Sequence, residues 1–213
     1  PPQEAIDSLL THCQNGRFAK AEKLAISITQ EFPQHPIGWK LLGAVLLQTA
    51  RFSEAVNANQ TAVELSPQDA GAHMNLGTTL GELGRLDEAE ASYSKAIALK
   101  PDYTEAHCNL GITLQKLGRL DAAEASYSQA IELNPNYAEA HNNLGNTLKK
   151  MGRLEAAEAS YTQAIELKPD FAEAHFNFGN ILEVQGRLEA AETSYTRSIK
   201  SKPDFAEAHY NLG

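Results

Sequence analysis

Asparagine recurs at a fixed spacing through most of the chain, and its side chain offers chemistry that could bind a polypeptide. Asparagine forms helices less well than alanine, by roughly half a kcal/mol per residue, so its repeated use indicates that the amide is needed. A carboxamide carries both a donor and an acceptor, and it can bind the N–H and C=O groups of any peptide. We therefore predict that an asparagine row binds an extended chain. The row has one member every thirty-four residues: Asn75, Asn109, Asn143, Asn177 and Asn211.

Histidine recurs two residues before each asparagine, which raises the question of a metal site. Zinc ligands must all lie about 2.0–2.1 Å from the ion. One histidine per repeat places neighbouring rings at least a helix diameter apart, so they cannot share an ion. We predict a packing role for this row, and we expect no metal or other cofactor. The row consists of His73, His107, His141, His175 and His209.

Helices must position these residues, because the apolar pattern of each copy has helical spacing. In the copy Ala138–Phe171 the pattern predicts a first helix that ends at Gly152, since glycine adopts the left-handed conformation readily. A second apolar pattern predicts a helix that Pro169 ends. The next helix is predicted to begin at Asp170, with Asp170 and Glu173 forming a capping box. The sequence therefore predicts an all-α array of helix pairs.

The repeat resembles the tetratricopeptide repeat (TPR). The family signature is most complete at Trp39, Leu42, Gly43, Ala55, Ala62 and Pro67. In the central copy it falls on His141, Leu144, Gly145, Leu148, Ala157, Tyr161, Ala164 and Pro169. Ala50 and Asn59 depart from the family, which usually has Gly and Tyr there. The resemblance implies a right-handed superhelical α-solenoid of antiparallel helix pairs, in which the first helices line a concave groove.

Comparison of the copies with one another adds a second set of candidate groove residues. The second helices barely vary, whereas the first helices differ at the position after the histidine and at three positions further along. This variation is typical of a surface tuned to a ligand, although relaxed constraint at exposed positions would also produce it. The candidates taken from the variable positions are Asn142, Asn146, Lys149, Lys150, Phe176 and Asn180.

The asparagine row has a further resemblance, carried by the block Asn136–Arg153. This block is similar to repeats of O-linked N-acetylglucosamine transferases, in which an asparagine ladder holds peptide. The alternative is that asparagine is common here across the TPR family and bridges adjacent helices. The carboxylate-clamp subtype of the family is not matched, because Asn142 stands where it requires a lysine and Glu207 where another cation is expected.

Two function classes follow from these observations. The first is a scaffold that binds a peptide or partner protein. The second is the substrate-recruiting arm of a glycosyltransferase whose catalytic domain is absent from this chain. No phosphate loop, nucleophile with a matched base or ligand cluster occurs, so the chain itself is not predicted to be an enzyme.

Composition narrows the partners and the compartment. A net charge of −9 and a pI of about 5.3 argue against nucleic acid. No apolar run approaches the roughly 20 residues that span a membrane. The cysteines, Cys13 and Cys108, lie nearly three repeats apart, too far for a disulfide, which favours a reducing cytoplasmic location.

The repeat boundaries predict one continuous solenoid over residues 1–213. Its most divergent copy, residues 2–35, is expected to be an N-terminal cap. The chain stops inside a seventh copy, so we expect a fragment of a longer protein that can self-associate end to end through the uncovered apolar face. The remaining boundaries are 36–69, 70–103, 104–137, 138–171, 172–205 and the partial copy 206–213.

Overall fold

The computed structural model describes residues 1–212, which form thirteen α-helices and no strands. The chain comprises two compact units, Pro1–Thr113 and Leu114–Gly213. The first unit contains α1 Gln3–Gln14, α2 Phe18–Glu31, α3 Pro36–Gln48, α4 Phe52–Leu65, α5 Ala70–Glu82, α6 Leu86–Leu99 and most of α7 Thr104–Lys116. The second contains α8 Leu120–Leu133, α9 Ala138–Lys150, α10 Leu154–Leu167, α11 Ala172–Val184, α12 Leu188–Ser201 and α13 Ala206–Leu212. Odd-numbered helices are the first helices of each pair, and even-numbered helices are the second.

Within each unit, first helices pack on the second helix of their pair, and second helices pack on the first helix of the next pair. In the first unit α3 packs on α4 and α5 on α6, and in the second unit α9 packs on α10 and α11 on α12. Alanines such as Ala157 and Ala164 are fully buried, which lets neighbouring helices approach closely. The predicted all-α fold of paired helices in a TPR-like solenoid is confirmed.

The glycine of the Leu-Gly pair is required by its contact with an aromatic ring. A Cβ added to Gly145 would lie 2.6 Å from Cε1 of Tyr161. The same obstacle exists between Gly77 and Tyr93, where the ring carbons lie 2.8 Å from such a Cβ. In the α3–α4 pair Gly43 instead faces Asn59, whose side-chain oxygen a Cβ would overlap. A helical glycine costs roughly 0.5–1 kcal/mol relative to alanine, and the close packing of the buried ring offsets that cost.

Glycine also ends the first helices, as predicted. Gly152 has φ +76°, and the N–H of Arg153 donates to the carbonyl of Leu148 at 2.9 Å across this turn. These are the geometry and hydrogen bond of a left-handed helix end. Ala50 occupies the same place after α3 with φ +57°, a region that an alanine rarely adopts.

The capping box predicted from Asp170 and Glu173 is not formed. Helix α11 begins at Ala172, two residues after Asp170, and its N-cap is Phe171, which makes no side-chain capping bond. Phe171 is buried in a cluster with Ala138 and Ala174. Burying a phenylalanine gains about 1.5–3 kcal/mol, more than the roughly 1 kcal/mol of a polar cap, so burial decides where the helix begins. Glu173, predicted to complete the box, instead pairs with Lys202 of the next turn at 3.4 Å.

Candidate functional site

The histidine row secures the turn that precedes each first helix. Nε2 of His175 lies 2.9 Å from the carbonyl oxygen of Pro169, and the other four histidines make the same bond to a proline six residues earlier. Trp39 has the same role, since its Nε1–H donates to the Pro33 carbonyl at 2.8 Å. Because a carbonyl only accepts, Nε2 carries the proton in these histidines. The row therefore fixes the turns by hydrogen bonds, whereas the sequence predicted packing; only His73 and His175 are buried. Within the described part of the chain, no three His, Cys, Asp or Glu residues are grouped so that they could hold a metal.

The tyrosines of the second helices do more than pack. The rings of Tyr161 and Tyr195 are buried, but their hydroxyl groups reach the first helices of their pairs. The Tyr161 hydroxyl donates to Asn146 Oδ1 at 2.8 Å, and that of Tyr195 lies 2.9 Å from Asn180 Oδ1. Burial raises the pKa of Tyr195 to about 12, and a hydrogen bond with Glu183 adds to the shift, so the hydroxyl keeps its proton.

The other tyrosine hydroxyls also meet the variable positions of the first helices. Tyr93 contacts Thr78 Oγ1 at 3.3 Å, and Tyr127 contacts Gln115 Oε1 at 3.4 Å. These hydrogen bonds were not predicted from the sequence. The available signal was that every one of the four copies keeps a tyrosine and none has phenylalanine.

Two members of the asparagine row bridge neighbouring first helices. Asn177 on α11 donates from Nδ2 to Asn142 Oδ1 on α9 at 3.0 Å. Asn211 on α13 donates to Asn180 Oδ1 on α11 at 2.9 Å. Asn142 is buried, and its own Nδ2 lies 3.4 Å from Asn143 Oδ1. The structure therefore places Asn142 between helices rather than on an open surface.

The other predicted contact residues lie in different settings. Asn75 and Asn109 are half-buried on α5 and α7. Phe176 is half-buried and packs on two rings, with its centroid 5.9 Å from Tyr195 and 5.0 Å from Phe205. Much of its surface is thus used in contacts within the second unit.

A polar cleft gathers three predicted residues and one that was not selected. Asn146, Lys149 and Lys150 of α9 line it together with Gln115 near the end of α7, and its volume is about 490 Å³. Lys149 is half-buried and Lys150 is exposed. Burial lowers the pKa of the Lys149 ammonium group.

The arginines that follow the turn glycines form ion pairs within the protein. Arg153 pairs with Glu124 and Arg187 with Glu158, both at 2.6 Å, and each bond joins consecutive second helices of the second unit. Arg85 pairs with Glu88 in its own helix, also at 2.6 Å. These contacts link repeats or helix ends. None of the described helices is long and apolar enough to cross a membrane.

Comparison with solved structures shows the same fold in several proteins. PilW, a widely conserved type IV pilus biogenesis factor, aligns with a TM-score of 0.90 at 20% identity, covering 99% of this chain and 98% of its own. YrrB, a TPR protein with an unusual peptide-binding site, gives 0.68 at 24% identity, with coverage of 87% and 96%. TTC0263, a thermophilic TPR protein of Thermus thermophilus, gives 0.68 at 26% identity, with coverage of 85% and 98%. A comparison with curated proteins gave no match.

Family models identify the repeats directly. One described as TPR repeat matches residues 77–118, 116–152 and 179–213. Three described as Tetratricopeptide repeat match residues 138–171, then 58–91 and 160–193, and finally 10–70. They match no catalytic domain in this chain and do not support the glycosyltransferase alternative. The chain belongs to the tetratricopeptide repeat family.

Proposed function

We propose that this chain is a peptide- or protein-binding scaffold that holds an extended segment against the first helices of its second unit. The binding surface comprises Asn143, Asn146 and Lys149 on α9 with Asn177 and Asn180 on α11, all of them half-buried. One observation carries the proposal: the side-chain oxygens of Asn146 and Asn180 accept hydrogen bonds from within the protein, from the Tyr161 hydroxyl and from Asn211 Nδ2 respectively.

This arrangement orients the two carboxamides for binding. Because Oδ1 of Asn146 is turned toward Tyr161, its NH₂ group is on the opposite side of the planar amide. Within the described part of the chain, the NH₂ groups of Asn146 and Asn180 donate to no protein acceptor. Two oriented donors on neighbouring first helices are therefore available to the carbonyl groups of a bound chain.

The spacing of the two donors suits an extended peptide. Packed helices lie about 8–10 Å apart, and an extended chain rises about 3.3 Å per residue. Carbonyl groups two or three residues apart in such a chain span roughly 7–10 Å, which matches this general spacing of packed helices. Backbone binding of this kind tolerates many side chains, while variable neighbours such as Lys149 select among them. The same fold carries a peptide-binding site in YrrB.

The proposal is tested with a peptide-display library selected on the whole chain. We expect extended peptides to be recovered, and we expect the double variant Asn146→Ala, Asn180→Ala to bind all of them more weakly. Each lost hydrogen bond is worth about 0.5–1.5 kcal/mol, so the pair should weaken affinity by roughly fivefold to more than a hundredfold. Asn57→Ala, at an exposed position of the second helix α4, is the matched control and should leave affinity unchanged. Recovery of no peptide above background, or unchanged affinity of the double variant, would contradict the proposal.

The asparagine row is tested on the same peptides with Asn143→Ala. Its Nδ2 group has no acceptor among the described residues, so we predict weaker binding without a large loss of stability. Asn177→Ala is a poorer test, because it removes the hydrogen bond to Asn142, a buried residue. That change would lower stability by about 1–3 kcal/mol through the unpaired oxygen, whether or not Asn177 contacts a peptide.

A further inference from the structure

The cleft lined by Gln115, Asn146, Lys149 and Lys150 presents mainly hydrogen-bond donors from these four side chains. The Tyr127 hydroxyl donates to Gln115 Oε1 at 3.4 Å, and the Tyr161 hydroxyl donates to Asn146 Oδ1 at 2.8 Å. Both amide oxygens are thereby engaged, and both NH₂ groups remain. The two lysines contribute only donors, since an ammonium group has no acceptor.

The positive charge in this cleft is not neutralised within the described protein. Neither Lys149 nor Lys150 lies within ion-pair distance of a described carboxylate, whereas Lys168 and Lys202 pair with Glu139 and Glu173. Lys149 is also half-buried, and burial lowers its pKa, which reflects incomplete hydration of the charge. A bound anion would compensate the lost hydration.

The corresponding position in the next helix pair has the opposite charge. Glu183 of α11 takes the place of Lys149, and its carboxylate lies 2.7 Å from the Tyr195 hydroxyl. Val184 takes the place of Lys150. In α5 of the first unit these two positions are Gly81 and Glu82, and in α3 they are Leu47 and Gln48. Two lysines at this pair of positions thus occur only in α9 among the copies, in a protein whose net charge is −9.

We propose that this cleft binds an anionic side chain, a carboxylate or a phosphate group, of the segment held by the scaffold. The inference rests on the proposed function and names the residue class that the partner must carry beside the two asparagine donors. Four donors with two positive charges suit the several oxygens of such a group, and charge-assisted hydrogen bonds are the stronger kind. The lysines concerned differ from those of the carboxylate clamp, whose lysine position holds Asn142 here.

The test uses small anions and needs no partner. Glutarate and inorganic phosphate are titrated separately into the ¹⁵N-labelled chain at constant ionic strength set with chloride, and the backbone amide shifts of Gln115, Asn146 and Lys149 are followed. We expect saturable binding of at least one anion, weakened at least tenfold in Lys149→Met and not in Lys95→Met, at an exposed position of α6. Because Lys149→Met removes a half-buried charge, its folding is not threatened, and circular dichroism verifies this.

The two titrations distinguish which anionic group the cleft binds. Saturation by glutarate alone supports a carboxylate, saturation by phosphate alone supports a phosphorylated side chain, and saturation by both supports a general anion site. Linear shifts that are equal in the wild type and Lys149→Met would overturn the inference. Anion binding without recovery of any library peptide would contradict the proposed function and leave this site standing. Recovered peptides without anionic residues, together with no anion binding, would overturn the anion site and leave the proposed function standing.

Discussion

The helix pairs α3–α4 and α9–α10 share one framework but differ at the residue that faces the Leu-Gly glycine. In α9–α10 this is Tyr161, which buries its ring on Gly145 and extends its hydroxyl to Asn146. In α3–α4 it is Asn59, which is fully buried, donates to Thr79 at 3.0 Å and leaves its Oδ1 without a partner.

The surfaces of the two first helices also differ: α9 has polar residues where α3 has apolar ones. Where α9 has Asn146 and Lys149, α3 has Ala44 and Leu47, which offer no group for a hydroxyl to bind. The comparison teaches that the phenol and the polar surface residue occur together. The tyrosine is therefore a connection between the packed interior and the surface that we propose for binding, and not only a filler of space.

The largest expected effect comes from removing that connection. Tyr161→Ala should lower the free energy of unfolding by about 3–5 kcal/mol, because a fully buried aromatic ring is lost. Tyr161→Phe should cost only about 0.5–1.5 kcal/mol, since it removes the hydroxyl hydrogen bond alone. Urea unfolding measures both values. Asn59→Ala is the matched change in α3–α4 and should cost less than Tyr161→Ala, because it also removes an unpaired oxygen. Equal losses for Tyr161→Ala and Asn59→Ala would break the comparison.

The second prediction concerns alkaline pH, because a helix pair with a buried tyrosine has an ionisable group that α3–α4, with Asn59, does not have at this position. Burial raises the pKa of Tyr93 to about 12, against about 10 in an unfolded chain. Below pH 10 both states are neutral and the stabilisation is complete. Between pH 10 and 12 the unfolded state ionises first, so stability falls as pH rises, by roughly 2–3 kcal/mol for this residue.

Tyr93→Phe provides the control for that loss. Its free energy of unfolding, measured in urea from pH 8 to pH 12, should fall less steeply than that of the wild type. Asn59 has no ionisable group, so Asn59→Ala should leave the slope of the wild type unchanged. Identical slopes for Tyr93→Phe and the wild type would show that the phenol does not carry the effect.

The smallest expected effect concerns the turns of the two pairs. Ala50→Gly should stabilise the protein by about 0.5–1 kcal/mol, because the left-handed conformation costs alanine about 1–2 kcal/mol and glycine loses more entropy on folding. Gly152→Ala should destabilise by a similar amount, with no clash, since no atom lies within 4 Å of the added Cβ. Melting temperatures should therefore shift in opposite directions. A shift of the same sign in both variants would mean that the turns do not differ as their φ angles indicate.

The fold could be predicted from the sequence, because the thirty-four-residue period repeats the same helix and turn signals. Gly152 shows this directly, since one residue type and one φ angle end the helix. The start of α11 could not be predicted as easily, because a polar cap at Asp170 competes with burial of Phe171, and packing decides the outcome.

The candidate site was less predictable than the fold. Pattern analysis selected Asn142 and Asn146 alike as variable positions of α9, yet the first is buried against Asn177 and the second is held by Tyr161. Which amide is used internally depends on distances between helices, and a single sequence does not contain them. Self-association and a cytoplasmic location stay predictions.

The ion pairs between repeats have a consequence for how such an array can change in length. Glu124 pairs with Arg153 and Glu158 with Arg187, each across twenty-nine residues. Exposed pairs of this kind contribute only about 0–1 kcal/mol each, so their value is not chiefly in stability. Their value is that these two junctions of the second unit use the same complementary ends. A gene segment that encodes thirty-four residues can therefore be duplicated or lost by unequal recombination, and each new neighbour finds its counter-charge already in place.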